Sequence, residues 1–168
     1  MESSVIERAK LREKGCWYED FTPNRVFIHH WGKTVTHSEN SLFSTLTLHF
    51  NPQYTNLDFA KAMGHPDTPV NSLLVFNTVF GLSVEDLSEH GTAFLGVEEL
   101  SYGKVVYPGD TIYARSTVLD RRLSVSNPGM GIVTWQTRGN NQDGVQVCEF
   151  KRSNLIFCRE VAAAEEVA

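Results

Sequence analysis

The stretch Asn71-Ser72-Leu73-Leu74-Val75-Phe76-Asn77-Thr78-Val79-Phe80-Gly81-Leu82 is apolar nearly all round. Asn71 or Ser72 is a natural N-cap, so a helix is expected from about Leu73 to Leu82. A helix without a polar face is buried on every side, not laid on a surface. Its wrapping is expected downstream, because everything after Glu89 reads as strand. TAFLGVEELSYGKVV, TIYARSTVLDRRLS, GIVTWQTRGN and VQVCEFKRSNLIFCR are rich in Val, Ile, Thr, Tyr and Phe. Tyr107-Pro108-Gly109-Asp110, Asn127-Pro128-Gly129 and Asn141-Gln142-Asp143-Gly144 are tight turns between them, so neighbouring strands are expected to run antiparallel.

Upstream, RVFIHHWGKTVT (Arg25–Thr36) alternates as one strand. Thr36-His37-Ser38-Glu39 matches a capping box, in which the Thr hydroxyl takes the N3 amide and the Glu reaches back to the cap amide. A helix should follow through Leu42, Phe43 and Leu46, until Asn51-Pro52 breaks the pattern. Asn56 can cap a second short helix, LDFAKAM, with Gly64 as its stop. His65–Pro69 reads as a loop. The expected class is α+β, a curved antiparallel sheet wrapped around one central helix. Such a layer leaves a sheet edge open, so a homodimer is expected.

The chain has 168 residues, 41% hydrophobic and 21% charged, enough apolar material for one core. One domain is expected over residues 15–160, with an arm at 1–14 and a tail at 161–168. The formal charge of −5 without a long basic run argues against nucleic acid and anionic membrane as partners. Residues 1–15 have no apolar core of a signal peptide, and no stretch is long enough to span a membrane, so a cytoplasmic location is expected. Cys16, Cys148 and Cys158 have no zinc spacing and are expected as reduced thiols. His29 and His30 are adjacent on a strand and point to opposite faces, as do Arg121 and Arg122, so no metal site is expected.

Chemistry concentrates at one bend. His49, Asn51 and Tyr54 lie just past a helix end, where an irregular chain lets side chains converge. Histidine suits a general base at neutral pH; Tyr can donate a proton and Asn can orient a water. The alternative is a half-buried corner with Asn51 making a turn before Pro52. Asn71 and Ser72 open the apolar helix, whose free amides suit a developing oxyanion; the alternative is an ordinary cap. Lys151 and Arg152 offer two cations for a phosphate, or a solvated face. His65 and Asp67 line an entrance, or a plain loop. There is no Gly-rich phosphate loop, nucleophile elbow, CxxC or HExxH.

Several ordered segments carry a resemblance. Cys16–Phe21 (CWYEDF), Thr34–Thr36 with Asn40–Thr47 (NSLFSTLT), Val70–Leu73 (VNSL), Val105–Thr111 (VVYPGDT), Gly131–Val133 and Asn141–Gly144 together resemble the MaoC-like dehydratases. These are the hot-dog-fold (R)-specific enoyl-CoA hydratases, and the likeness is to the branch around mesaconyl-CoA and β-methylmalyl-CoA hydratase. The resemblance spans about Gly15 to Arg159. It implies a hot-dog fold, a dimer, an acyl-CoA substrate with coenzyme A as part of the substrate, and no other cofactor. The implied reaction is reversible addition of water across the 2,3 bond of an enoyl thioester. The family motif Asp-x-Asn-Pro-x-His falls on His49-Phe50-Asn51-Pro52-Gln53-Tyr54. Asn51 and Pro52 match; His49 stands at the Asp position and Tyr54 at the His position. The resemblance also implies that an amide at the helix start, at Asn71 and Ser72, polarises the thioester carbonyl. His49 as base and Tyr54 as proton donor would then replace the family pair, and His65, Lys151 and Arg152 would bind substrate. Two other readings stay open: an inactive acyl-CoA-binding protein, and another hot-dog enzyme such as a thioesterase.

Overall fold

The computed structural model describes residues 14–160. The expected arm, except Lys14, and the whole of the expected tail lie outside the described residues. Four long antiparallel strands, β3 (Gly91–Tyr102), β4 (Thr111–Leu123), β5 (Met130–Asn140) and β6 (Gln146–Phe157), form most of one sheet. Two short strands, β1 (Val26–Ile28) and β2 (Lys33–Thr34), both pair with β4. The spatial order is β1-β4-β5-β6-β3, which leaves β3 at an edge. Helices α1 (His37–Leu46), α2 (Pro52–Thr55), α3 (Leu57–Ala62), α4 (Ser72–Leu82) and α5 (Val84–Leu87) precede the long strands. Among the described residues no helix is long and apolar enough to cross a membrane.

The expected single strand over Arg25–Thr36 is two short ones. His29 still donates its amide to Ala114 O at 3.1 Å. The chain then leaves the ladder at His30–Gly32, because Gly32 passes over the Tyr113 ring so closely that a Cβ would collide with it.

Local signals hold elsewhere. Thr36 Oγ1 accepts from Glu39 N at 3.3 Å, and Thr36 N donates to Glu39 Oε2 at 2.9 Å, closing the capping box. Asn56 Oδ1 accepts from Phe59 N at 3.1 Å and starts α3. Gly64, at φ 89°, ends it with a left-handed residue. Asp110 N, Met130 N and Gly144 N close the three expected turns onto Tyr107 O, Asn127 O and Asn141 O.

Helix α4 lies in the curve of the sheet, but the described residues bury only one side of it. Val75, Thr78 and Val79 face the sheet and are buried, whereas Leu73, Asn77 and Gly81 are exposed. A single sheet layer covers one side of a helix, and the other side here borders a hollow of about 710 Å³ against Phe94, Val97 and Leu100 of β3. The expectation of burial on every side is corrected accordingly. The sheet side is tight: a Cβ on Gly139 of β5 would collide with Val79. Gly139→Ala should therefore lower the unfolding free energy by about 1–3 kcal/mol, read from urea melts, because a packed core resists added volume.

A second core closes the far end of the sheet, where Phe21, Phe27, Leu87, Val118, Val133, Trp135 and Ile156 pack together.

Candidate functional site

The site grows from three polar residues that tie α1 to the start of α4. Asn40 and Ser44 are four apart on α1 and share a buried face. Asn40 Nδ2 donates to Pro69 O at 3.0 Å and to Tyr54 O at 3.3 Å. Asn40 Oδ1 accepts from Asn71 N at 2.8 Å. One amide thus holds the bend, the loop and the helix start in register. The reading of the sequence missed both residues, although a polar pair at i and i+4 beside apolar neighbours was the available signal.

Asn71 caps α4, its Oδ1 accepting from Leu73 N at 3.0 Å. That bond fixes the amide orientation, so its Nδ2 donates to Ser44 Oγ at 3.2 Å and to His49 Nδ1 at 3.0 Å. A ring nitrogen that accepts carries no proton, so the neutral His49 ring holds its proton at Nε2. His49 is then a donor at its free nitrogen. In that neutral form His49 presents a donor, where a base would present an acceptor. It stands edge-on to Tyr54, with ring centroids 5.4 Å apart.

Tyr54 is 8% exposed and its hydroxyl lies 3.4 Å from Ser72 Oγ. Asn51 Oδ1 accepts from Gln53 N at 3.2 Å and its carbonyl from Tyr54 N at 3.0 Å, so this side chain shapes the turn that presents Tyr54. Pro52 sits at the first position of that turn, where its missing N–H is not needed. The side chain of Asn51, expected in the catalytic group, is engaged in this turn.

Tyr54 and Ser72 line a cavity of about 140 Å³ with His65, Val75, Tyr102 and Lys104 among its other walls. His49 and Asn51 are not on that wall. His65 Nδ1 and the Tyr107 hydroxyl lie 2.8 Å apart, which holds the imidazole at the rim. Asp67 turns away, accepting from Thr68 N at 2.6 Å and pairing with His37 at 3.1 Å. Tyr102, absent from the expected site, is brought in from the end of β3. It lines the cavity beside Ser72, and burial pushes its phenol above the usual tyrosine range. A strand residue thirty positions from Ser72 leaves no local signal.

The pair expected to bind phosphate does not reach this cavity. Lys151 and Arg152 alternate across β6. Lys151 pairs with Glu99 at 2.6 Å. Arg152 is 1% exposed, with its guanidinium 4.4 Å from the Phe80 ring and 5.5 Å from the Trp135 ring. Its Nη2 donates to Ser83 O at 3.4 Å, beyond the C-terminal end of α4. Burial lowers its pKa to about 10, which leaves it charged at neutral pH.

A Ser–His–Asp chain also exists, away from the cavity. His29 Nδ1 lies 2.6 Å from Asp86 Oδ2, and His29 Nε2 lies 2.9 Å from Ser116 Oγ, which in turn is 2.8 Å from Thr137 Oγ1. Ser116 is 0% exposed, so no substrate meets it, and the chain braces the sheet. Burial lowers the pKa of His29 despite the Asp86 hydrogen bond. The unfolded chain therefore takes up this proton first, from about pH 6.5 downward, and the folded state only at lower pH. Stability should fall with acidification through that window, and His29→Gln should flatten the slope in urea melts across pH 5 to 7.

Cys148 is fully buried and burial pushes its thiol up to about 12, so it stays protonated and inert. Among the described residues no three His, Cys, Asp or Glu side chains stand close enough together to hold a metal ion.

The mesaconyl-CoA hydratase family profile matches residues 2–167. Mesaconyl-CoA hydratase of Haloarcula hispanica is 35% identical over 163 residues, covering 96% of this chain and 46% of that protein. A MaoC domain protein of Chloroflexus aurantiacus superposes with a TM-score of 0.83 at 32% identity, over 86% of this chain and 41% of that one. A Mycobacterium tuberculosis protein described as having a double hotdog fold gives a TM-score of 0.76 at 21% identity, over 86% of this chain and 44% of that one. The chain thus spans less than half the length of these relatives. The sheet curved around α4 is the hot-dog fold. With the sequence match running almost end to end and the same fold beneath it, the chain belongs to the mesaconyl-CoA hydratase family.

Proposed function

We propose that the chain forms the site of a hydro-lyase that adds water across, or removes it from, the 2,3 bond of an acyl-CoA thioester. The observation that carries this is the cavity at the start of α4, where Ser72, Tyr54 and Tyr102 gather three hydroxyls at the positive end of a helix. Attack of water at C3 of an enoyl thioester sends charge to the thioester oxygen, and donors held ready there lower the barrier. Among the described residues no carboxylate lines the cavity, and His65 places an imidazole on its wall. His65 takes the proton of the attacking water as the C3–O bond forms. The same imidazole returns a proton to C2 as the enolate collapses, so no second acid is consumed. His49, Asn51 and Asn71 position Tyr54 and the helix start. Lys104, exposed at the cavity wall, offers its charge to the coenzyme A phosphates in place of Lys151 and Arg152. Coenzyme A enters as part of the substrate, and no further cofactor is required.

The substrate class follows the relatives: an enoyl-CoA of the mesaconyl type. Free Cys16, Cys148 and Cys158 suit a cytoplasmic site of action. The partner is a second copy of this chain, seated on the open face of α4. Leu73, Phe94 and Leu100 are exposed there beside β3, the edge strand of the sheet among the described residues, and the relatives are about twice as long as this chain.

The test is turnover of crotonyl-CoA, mesaconyl-CoA and a longer enoyl-CoA, followed as loss of enoyl absorbance. Mesaconyl-CoA should be consumed, and His65→Ala should lose about 10²-fold or more of the rate. If no substrate turns over while acyl-CoA still raises the melting temperature, the chain is a binding protein and the hydratase reading fails.

A further inference from the structure

We propose that Tyr107 is a positioning residue of the hydration site: its phenol oxygen accepts the Nδ1 proton of His65, so that the imidazole turns a bare Nε2 toward the cavity. This rests on the reading that His65 moves the protons of the reaction.

A neutral imidazole has one proton for two nitrogens, and the hydrogen bond made at one decides the state of the other. His65 Nδ1 lies 2.8 Å from the Tyr107 hydroxyl, and the two rings meet edge to face at 6.1 Å. His65 lines the cavity, and Nε2 is the nitrogen this bond leaves for a substrate. His49 is the opposite case. Its Nδ1 faces the Asn71 side-chain amide, which only donates there, so its proton sits at Nε2. A phenol oxygen has lone pairs as well as a proton, so it can receive a ring N–H.

The charges around Tyr107 favour that direction. Asp110 Oδ2 accepts from Tyr107 N at 2.9 Å, and Asp67 follows His65 by two positions. Burial, with the Asp110 and Asp67 carboxylates, pushes the Tyr107 phenol above its usual range, so it stays neutral. Negative charge on this side favours a ring that turns an N–H toward it over one that turns a lone pair.

The proton path closes on the same geometry. As the C3–O bond forms, a water proton passes to His65 Nε2 and the C2–C3 π pair moves to the thioester oxygen. The ring is then an imidazolium with a proton on each nitrogen, and the Tyr107 oxygen accepts from Nδ1. The Nε2 proton next goes to C2, and the neutral ring returns with its Nδ1 proton in place. Tyr107 gives up no proton at any step. The backbone holds both partners for this. Asp110 N donates to Tyr107 O at 3.0 Å and Gln142 Nε2 to Asp110 Oδ1 at 2.8 Å, while His65 N donates to Ala60 O at 3.0 Å.

Tyr107→Phe keeps the ring and removes only the oxygen. It should lower kcat about tenfold with KM for the enoyl-CoA nearly unchanged. In a His65→Ala background it should add nothing, because its effect passes through that imidazole. The tautomer is read without turnover, from ¹⁵N spectra of histidine-labelled protein at alkaline pH, where a histidine ring is neutral. The signals absent from His65→Ala identify the ring. The wild type should carry the His65 proton at Nδ1, and Tyr107→Phe should move it toward Nε2, the tautomer that a histidine in water favours. A wild-type ring protonated at Nε2, or a tautomer or kcat unchanged in Tyr107→Phe, overturns the proposal, even where loss of turnover in His65→Ala upholds the hydratase reading. If the wild type hydrates no enoyl-CoA but the His65 tautomer depends on Tyr107, the hydratase reading fails and the Tyr107 assignment stands.

Discussion

Trp135→Ala should lower the unfolding free energy by about 3–5 kcal/mol, as expected for removal of a fully buried large aromatic. Trp135 is 0% exposed. It meets Phe21 edge to face at 5.1 Å and lies under the Arg152 guanidinium at 5.5 Å. Deleting the ring opens a void that the surrounding β-sheet cannot close. It also removes one of two aromatic faces that cover a buried cation, and an uncovered charge adds to the loss. Trp135→Phe should recover most of the stability, since the indole Nε1 has no hydrogen-bond partner among the described residues to lose. Domains of this size have about 5–15 kcal/mol in total, so the alanine variant is expected to be partly unfolded at 37 °C. Urea melts followed by circular dichroism measure both variants.

Asn71→Ala should damage stability and activity together. It removes the cap on Leu73 N, worth about 1–2 kcal/mol, and the donors to Ser44 and His49. With Nδ1 of His49 unclaimed, the ring is free to change tautomer and to move against Tyr54. The start of α4, which presents Ser72, loosens at the same time. Turnover should fall by about 10²-fold. Asn71→Asp separates the two effects. Its carboxylate still caps Leu73 N but offers no N–H to His49. It also places negative charge where the thioester oxygen becomes negative. Stability should therefore return toward the wild type while activity stays low. Thermal melts and steady-state rates on the same preparations decide this.

The parts of the fold that were legible in the sequence are those set by short-range chemistry. The Thr36–Glu39 box, the Asn56 cap and the three turns each depend on residues within a few positions, whereas Asn51-Pro52, expected to stop α1, instead opens α2 after α1 has ended at Leu46. The long strands follow from their β-branched and aromatic content. The bend was legible in outline, because Asn51-Pro52 opens the short turn that brings Tyr54 to the start of α4. What escaped depends on distant partners. Tyr102 joins Ser72 from another element, and the Gly32–Tyr113 approach breaks a strand that alternation alone would continue. Arg152 next to Lys151 looked like a phosphate pair, yet strand alternation sends one side chain outward and the other into the core. The all-apolar helix was expected to be enclosed. One chain covers only its sheet face, and hydrophobicity alone does not distinguish burial within a chain from burial against a partner.

The central claim is that water is added to an acyl thioester at the cavity of Tyr54, Ser72 and His65. The most direct measurement incubates the protein with mesaconyl-CoA in H₂¹⁸O and follows the thioester by mass spectrometry. The expected result is a product one water heavier that carries a single ¹⁸O at C3, formed by the wild type and nearly lost in His65→Ala. Recovery of unchanged mesaconyl-CoA, or ¹⁸O found only in free mesaconate released by thioester hydrolysis, would contradict it.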